Sequence, residues 1–259
     1  MRHNLSIGPT YWRIDVRKDY DIVGSYDNQR VSTISAARTV NLFEYNDPDG
    51  KRPKTLISTA GLVNTHLNFI PETGGSRASF FFNNEWFQVF GGSVFRITGV
   101  TGSLSYTKIF SLTTSTGYVG ISANTFQVIF VDGVQGWIWN INTSVATHIT
   151  DANFPTNPID VTYLDGFFIV ANGSTNEFRL SQLNDGINYT PLQQGTMTSD
   201  TGTIVACRTL HRRLFLFSQF FVEVWENAGA GTNLPLRRNN SLLLEVGTPA
   251  IGTRGALRA

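Results

Sequence analysis

Residues 203–229 read Thr203-Ile-Val-Ala-Cys-Arg-Thr-Leu-His-Arg-Arg-Leu-Phe-Leu-Phe-Ser-Gln-Phe-Phe-Val-Glu-Val-Trp-Glu-Asn-Ala-Gly229, and they divide into three short strands. Thr203–Arg208 is β-branched and mostly apolar, and the polar run Leu210–Arg213 breaks it. Leu214–Phe217 is wholly apolar, Ser218-Gln219 supplies a tight turn, and Val222–Trp225 runs back before Asn227-Ala-Gly229. Short apolar runs rich in Val, Ile, Phe and Trp, bounded by turn residues, mark buried strands.

The same order occurs three times upstream. Ala78–Phe82, Trp86–Phe90 and Val94–Ile97 are separated by Asn83-Asn84 and Gly91-Gly92. Tyr118–Ser122, Phe126–Val131 and Trp137–Trp139 follow, then Ile159–Tyr163, Phe167–Val170 and Glu177–Leu180. The polar turn after each first strand falls at Asn84, Asn124, Asp165 and His211, spacings of 40, 41 and 46 residues. Several short strands repeated at about 40–45 residues are the signature of propeller blades. One such sheet cannot bury both of its faces, and stacking sheets around an axis solves that problem. A β-sandwich also supplies many short strands, but nothing in it calls for this order at near-constant spacing. The sequence therefore predicts an all-β, β-propeller-like fold of about four blade repeats of 40–46 residues with an N-terminal arm. Ser241-Leu-Leu-Leu-Glu-Val-Gly247 reads as the start of a further unit, so the propeller is expected to be incomplete. Residues 1–65 are assigned to the arm and first strands, and 66–259 to the blades.

In the front segment, Arg38–Tyr45 is a predicted strand, Asn46-Asp-Pro-Asp-Gly50 a turn, and Thr55–Gly61 a second strand. That turn lacks the later ligands of a calcium loop. Charged residues make up 15% of the chain and the net charge is +1, which argues against a polyelectrolyte. Distribution is uneven: residues 61–207 hold 4 Lys/Arg against 9 Asp/Glu, and residues 208–259 hold 7 Arg against 3 Glu. Cys207 is alone, so no internal disulfide forms, and its apolar neighbours predict an inert buried thiol. No apolar run approaches membrane-spanning length.

Catalytic constellations are missing from the pattern. The four histidines (His3, His66, His148, His211) stand in no metal-ligand spacing. No nucleophile elbow, phosphate-cradling lysine loop or dinucleotide fingerprint is present. Propeller glycosidases need paired carboxylates, but Asp132, Asp165 and Asp185 each precede glycine in turns. We expect no enzyme activity and no cofactor or metal. The functional signal is arginine: Arg208, Arg212, Arg213, Arg237, Arg238, Arg254 and Arg258. Of these, Arg212, Arg213, Arg237 and Arg238 are candidates for non-specific phosphate contact or a subunit interface. Trp86, Trp137, Trp139, Phe168, Phe215 and Trp225 are the expected packing residues between blades.

Four segments in order carry a resemblance. They are Arg38-Thr-Val-Asn-Leu-Phe43 with Gly50-Lys-Arg-Pro53 and Leu56–Leu62; Phe178–Tyr189; Leu214–Ser218 with Val222–Gly229; and Pro235–Arg238 with Glu245–Ala250. Over roughly residues 24–252 the chain resembles the packaged-DNA stabilisation (tail accessory factor, tail hub) family of short-tailed bacteriophages. Ala60 stands where that family usually has Pro, and family members are considerably longer. The resemblance implies a virion structural protein made in the host bacterial cytoplasm. It implies a homo-oligomeric ring, a hexamer in that family, below the portal or portal adaptor. Such a ring extends the DNA channel, retains packaged DNA, and carries the needle or nozzle and the tailspikes or fibres. The alternative is a glycan-binding or glycan-cleaving propeller acting as an adhesin, which requires aromatics on loop tips and paired carboxylates.

Overall fold

A computed structural model describes residues 42–46, 54–58, 74–100, 103–200, 202–229 and 233–248. The expected arm over residues 1–29, most of the turn at 46–50, and Arg254 and Arg258 lie outside them. The chain divides into two compact units, Met1–Asn64 and Thr65–Ala259. In the first unit, β1 (Leu42–Asn46) and β2 (Lys54–Ser58) form an antiparallel hairpin.

The second unit holds four antiparallel sheets of four strands each, every one built from strands consecutive in sequence. Sheet one contains β3 (Ser76–Phe82), β4 (Glu85–Phe90), β5 (Ser93–Val100) and β6 (Ser103–Ser111). Sheet two contains β7 (Gly120–Ala123), β8 (Gln127–Val131), β9 (Gly136–Asn140) and β10 (Val145–His148). Sheet three contains β11 (Pro158–Leu164), β12 (Phe167–Asn172), β13 (Glu177–Gln182) and β14 (Asp185–Thr196). Sheet four contains β15 (Ala206–Leu210), β16 (Arg213–Phe217), β17 (Val222–Asn227) and β18 (Leu236–Leu244). First strands of successive sheets pack on one another, β3 on β7, β7 on β11 and β11 on β15. That is the inner-strand arrangement of a propeller.

The repeat marker coincides with the turn between first and second strands. Asn83 and Asn84 (φ 49° and 60°), Asp165 and Gly166 (46° and 95°), and His211 and Arg212 (48° and 59°) adopt positive φ. Two consecutive positive-φ residues make the hairpin turn whose twist matches the strands it joins.

Alternation along the second strand of each sheet builds the core. Phe87 and Val89 of β4 meet Val128 and Phe130 of β8 in one cluster. Ile129 and Val131 of β8 meet Phe168 and Val170 of β12 in a second. Ile169 and Ala171 of β12 meet Leu214 and Leu216 of β16 in a third. All twelve side chains are fully buried. Thus the second and fourth positions of each second strand face the preceding sheet, and the third and fifth face the following one. Burying each large apolar side chain contributes about 1.5–3 kcal/mol. Among the described residues, no core cluster joins sheet four to sheet one.

Two sequence expectations change. Each sheet has a fourth strand that the apolar-run reading missed, because β6, β10, β14 and β18 are polar or mixed. Ser241–Leu244 does not open another unit: it ends β18, with Leu244 opposite Val222 and Leu243 opposite Glu223.

Candidate functional site

Each junction between sheets is pinned by charge. The Arg77 guanidinium at the start of β3 donates to the carbonyls of Gly117 (2.8 Å), Thr114 (2.7 Å) and Thr116 (2.7 Å), fixing the link from sheet one to sheet two. The Asp132 carboxylate accepts from the hydroxyl of Thr114 in the same link at 2.9 Å. Asp151 accepts the amide of Tyr189 at 2.9 Å, tying the loop after β10 to β14. Burial raises the pKa of Asp151, but the hydrogen bonds from Tyr189 and Asn153, with Arg179 nearby, outweigh it and hold the carboxyl below the ordinary range.

The link from sheet three to sheet four is held by Glu223, buried in β17. It accepts the amides of Thr198 (2.8 Å) and Ser199 (2.5 Å) and the indole N–H of Trp225 (2.9 Å). Arg238 lies 3.6 Å from the same carboxylate and donates to the hydroxyls of Thr198 and Ser199, both at 2.6 Å. Arg238 is therefore committed inside the protein. Its neighbour Arg237 falls on the other side of β18, opposite Glu226 and exposed.

Arg212 and Arg213 lie at the other end of sheet four, on the turn and the strand that follows it. Arg212 is 3.2 Å from Asp165 on the corresponding turn of sheet three, with its side chain 82% exposed. Asn227 donates to the other oxygen of Asp165 at 3.1 Å. Arg213 is 3.8 Å from Glu226, its cross-strand partner. These groups, with His211, border an open cleft of about 420 Å³. Exposed pairs of this kind contribute about 0–1 kcal/mol, so the cationic heads are available for exchange with an anionic partner. The four candidate arginines are thus not one patch: Arg212 and Arg213 share a cleft, Arg237 stands apart, and Arg238 is internal.

Asp160 on β11 was not singled out by sequence, where it sits unmarked in an apolar run. It is fully buried and accepts the Cys207 amide at 3.0 Å, with the Arg208 guanidinium 3.2 Å away. Burial pushes its carboxyl up to about 6, against the opposing pull of Arg208 and the Cys207 amide. The backbone of Gly120 on β7 runs against this point, where a Cβ would lie 3.2 Å from the Asp160 Cα. Cys207 is fully buried and its thiol is pushed well above the usual range, by burial first and then by Asp160.

Of the six expected packing aromatics, Trp137, Trp139, Phe168 and Trp225 lie in the cores between sheets. Trp225 meets Phe178 edge to face at 5.1 Å. Trp86 and Phe215 instead lie on outward faces, Trp86 on sheet one and Phe215 on sheet four. Trp86 holds the second position of its strand and Phe215 the third, positions that face a preceding and a following sheet respectively. Among the described residues, no group of three or more His, Cys, Asp or Glu could hold a metal ion, and no helix is long and apolar enough to cross a membrane.

Four meander sheets stacked through shared cores, with first strands packed in sequence, define a β-propeller protein. The phage stabilisation family model, described as bacteriophage P22 Gp10, beta-propeller, matches residues 22–257, and the chain belongs to that family. It is thus a phage structural protein of the packaged-DNA stabilisation class, in a family associated with the virion tail and not known for enzymes. No curated protein sequence matches the chain. Among solved structures, the computationally designed Ika4 protein aligns at 12% identity and TM-score 0.46, over 63% of this chain and 99% of that one. Kluyveromyces lactis Hsv2 aligns at 10% identity and TM-score 0.46, over 74% of this chain and 60% of that one. Apo ctPRC2 in an autoinhibited state aligns at 11% identity and TM-score 0.49, over 76% of this chain and 46% of that one.

Proposed function

We propose that this chain is a ring-forming tail hub that sits below the portal, extends the DNA channel and holds the packaged genome in place. The observation that carries the reading is the family match across residues 22–257. The ring of about six copies, the portal or portal adaptor above it, and the needle or nozzle and tailspikes or fibres below it belong to the same reading. Residues 1–65 act as an arm distinct from the blades at 66–259. The exposed heads of Arg212, Arg213 and Arg237 serve as non-specific phosphate contacts or as one side of a subunit interface, in keeping with the charge asymmetry of the chain. Arginine suits both roles, because its planar fork pairs with phosphate or carboxylate. The test is the mass of the purified protein by light scattering, alone and mixed with its portal. A ring of about six on the portal supports the hub. A protein that ignores the portal but binds a glycan array overturns it in favour of an adhesin.

A further inference from the structure

The alternation along the second strands sets a rule for what each sheet face meets. At every internal junction, third and fifth positions of one sheet pack on second and fourth positions of the next. Phe87 at a third position meets Phe130 at a fourth, with ring centroids 6.0 Å apart. Two faces are left without a counterpart in this stack. On sheet four the outward positions are Phe215 and Phe217, in register with Val224 and Val222. Both phenylalanines remain partly exposed, whereas their equivalents in the other three sheets are at 0%. On sheet one the outward positions are Trp86, which is 48% exposed, and Gln88. Phe81, opposite Trp86, is 59% exposed. One face is therefore of the following-sheet kind and the other of the preceding-sheet kind.

We propose that a second copy of this chain completes the propeller. The Phe215/Phe217 face of one copy docks on the Trp86/Gln88 face of the other, and the reverse, giving eight sheets around one axis. A single contact of this head-to-tail kind leaves an open end, and only a rotation that closes prevents a fibre. Propellers hold about four to eight blades, so two stacks of four close within that range and three do not. Area agrees. A face of four strands and five residues covers roughly 300 Å² from strand spacing and rise. Two contacts occlude four such faces, about 1,200 Å², which reaches the size of a stable interface. The pairing does not depend on the portal-bound ring: it specifies how the sheet stack is completed.

Light scattering on the isolated full chain tests it, with an expected mass twice the 28.7 kDa of one chain. Phe215→Asp with Phe217→Asp, and separately Trp86→Asp, should each return the mass to one chain with the circular dichroism of the parent. A Phe215→Cys, Gln88→Cys variant gives a readout that does not burden folding. Those side chains point out of opposite ends of one stack, yet the Phe87–Phe130 contact makes their positions neighbours across the proposed junction. Under mild oxidation it should form disulfide-linked two-chain species. A parent of one-chain mass, or a dimer that survives both aspartate variants and does not cross-link, overturns the pairing. A six-chain species unaffected by the variants overturns it while leaving the hub standing. A variant-sensitive dimer that ignores the portal supports the pairing and removes the hub.

Discussion

At the scale of single residues, Asp160 holds the most consequential charge in the fold. Its carboxyl is raised from 3.8 to about 6 by burial, so between those values the folded chain keeps a proton that the unfolded chain has released. Stability then falls as pH rises through that window, by roughly 3 kcal/mol for a shift of two units, and is recovered below it. Asp151 works in the opposite sense, since its depressed value contributes stability that is lost only as pH falls below the ordinary carboxylate range. Urea midpoints measured from pH 4 to pH 6.5 should therefore decline in the parent and stay level in Asp160→Asn. Equal slopes in the two proteins would show that Asp160 is not the titrating group. Little of this was legible in the sequence. Ile159-Asp-Val-Thr-Tyr163 looks like a strand with one tolerated polar residue, and the partner Arg208 lies 48 residues away. Cys207 was easier to place, because an apolar run of its own predicts burial without knowledge of any partner.

At the scale of strands and turns, the sequence exposed what is periodic and hid what is not. Second strands such as Gln127–Val131 are buried at every position and so appear as unbroken apolar runs. Fourth strands such as Ser103–Ser111 lie at the outer edge, pair on one side only, and carry Ser, Thr and Lys. Their strand character comes from the neighbour's hydrogen bonds, not from their own composition, which is why β18 was mistaken for the start of a new unit. The turns were legible as breaks but not as positive-φ sites: His211 and Arg212 occupy a geometry that favours Asn and Gly. The aromatics divide by parity. Trp225 falls on the core side of β17 and Phe215 on the outward side of β16, a distinction that requires the register. Trp225→Ala empties part of the core between sheets three and four and leaves Glu223 without its indole donor. It should cost about 3–5 kcal/mol, read as a lowered denaturation midpoint and lost soluble protein. An unchanged midpoint would mean that this core repacks freely.

At the scale of the whole molecule, the separation of the arginines decides how DNA retention is to be tested. Replacing Arg237 and Arg238 together would confound two effects, because Arg238 braces the link at Thr198-Ser199. Arg212→Glu with Arg237→Glu changes only exposed heads. Reconstituted particles carrying that pair should assemble normally and leak genome faster on dilution or heating, measured by nuclease-accessible DNA. Full retention would assign those side chains to something other than the channel wall. Fold class was legible at this scale from spacing alone, while the pinned junctions were not, since each joins residues from separate repeats.

The three cores have a consequence for how the chain is lost and gained. Each belongs to two adjacent sheets, so none of the four owns a hydrophobic interior, and cohesion passes only between nearest neighbours. Such an array behaves as a row of coupled links. Sheets two and three are clamped on both sides, whereas sheets one and four are clamped on one, so thermal fraying starts at the ends and moves inward. During synthesis the order runs the other way: a sheet leaving the ribosome stays half-finished until its successor arrives to cover it.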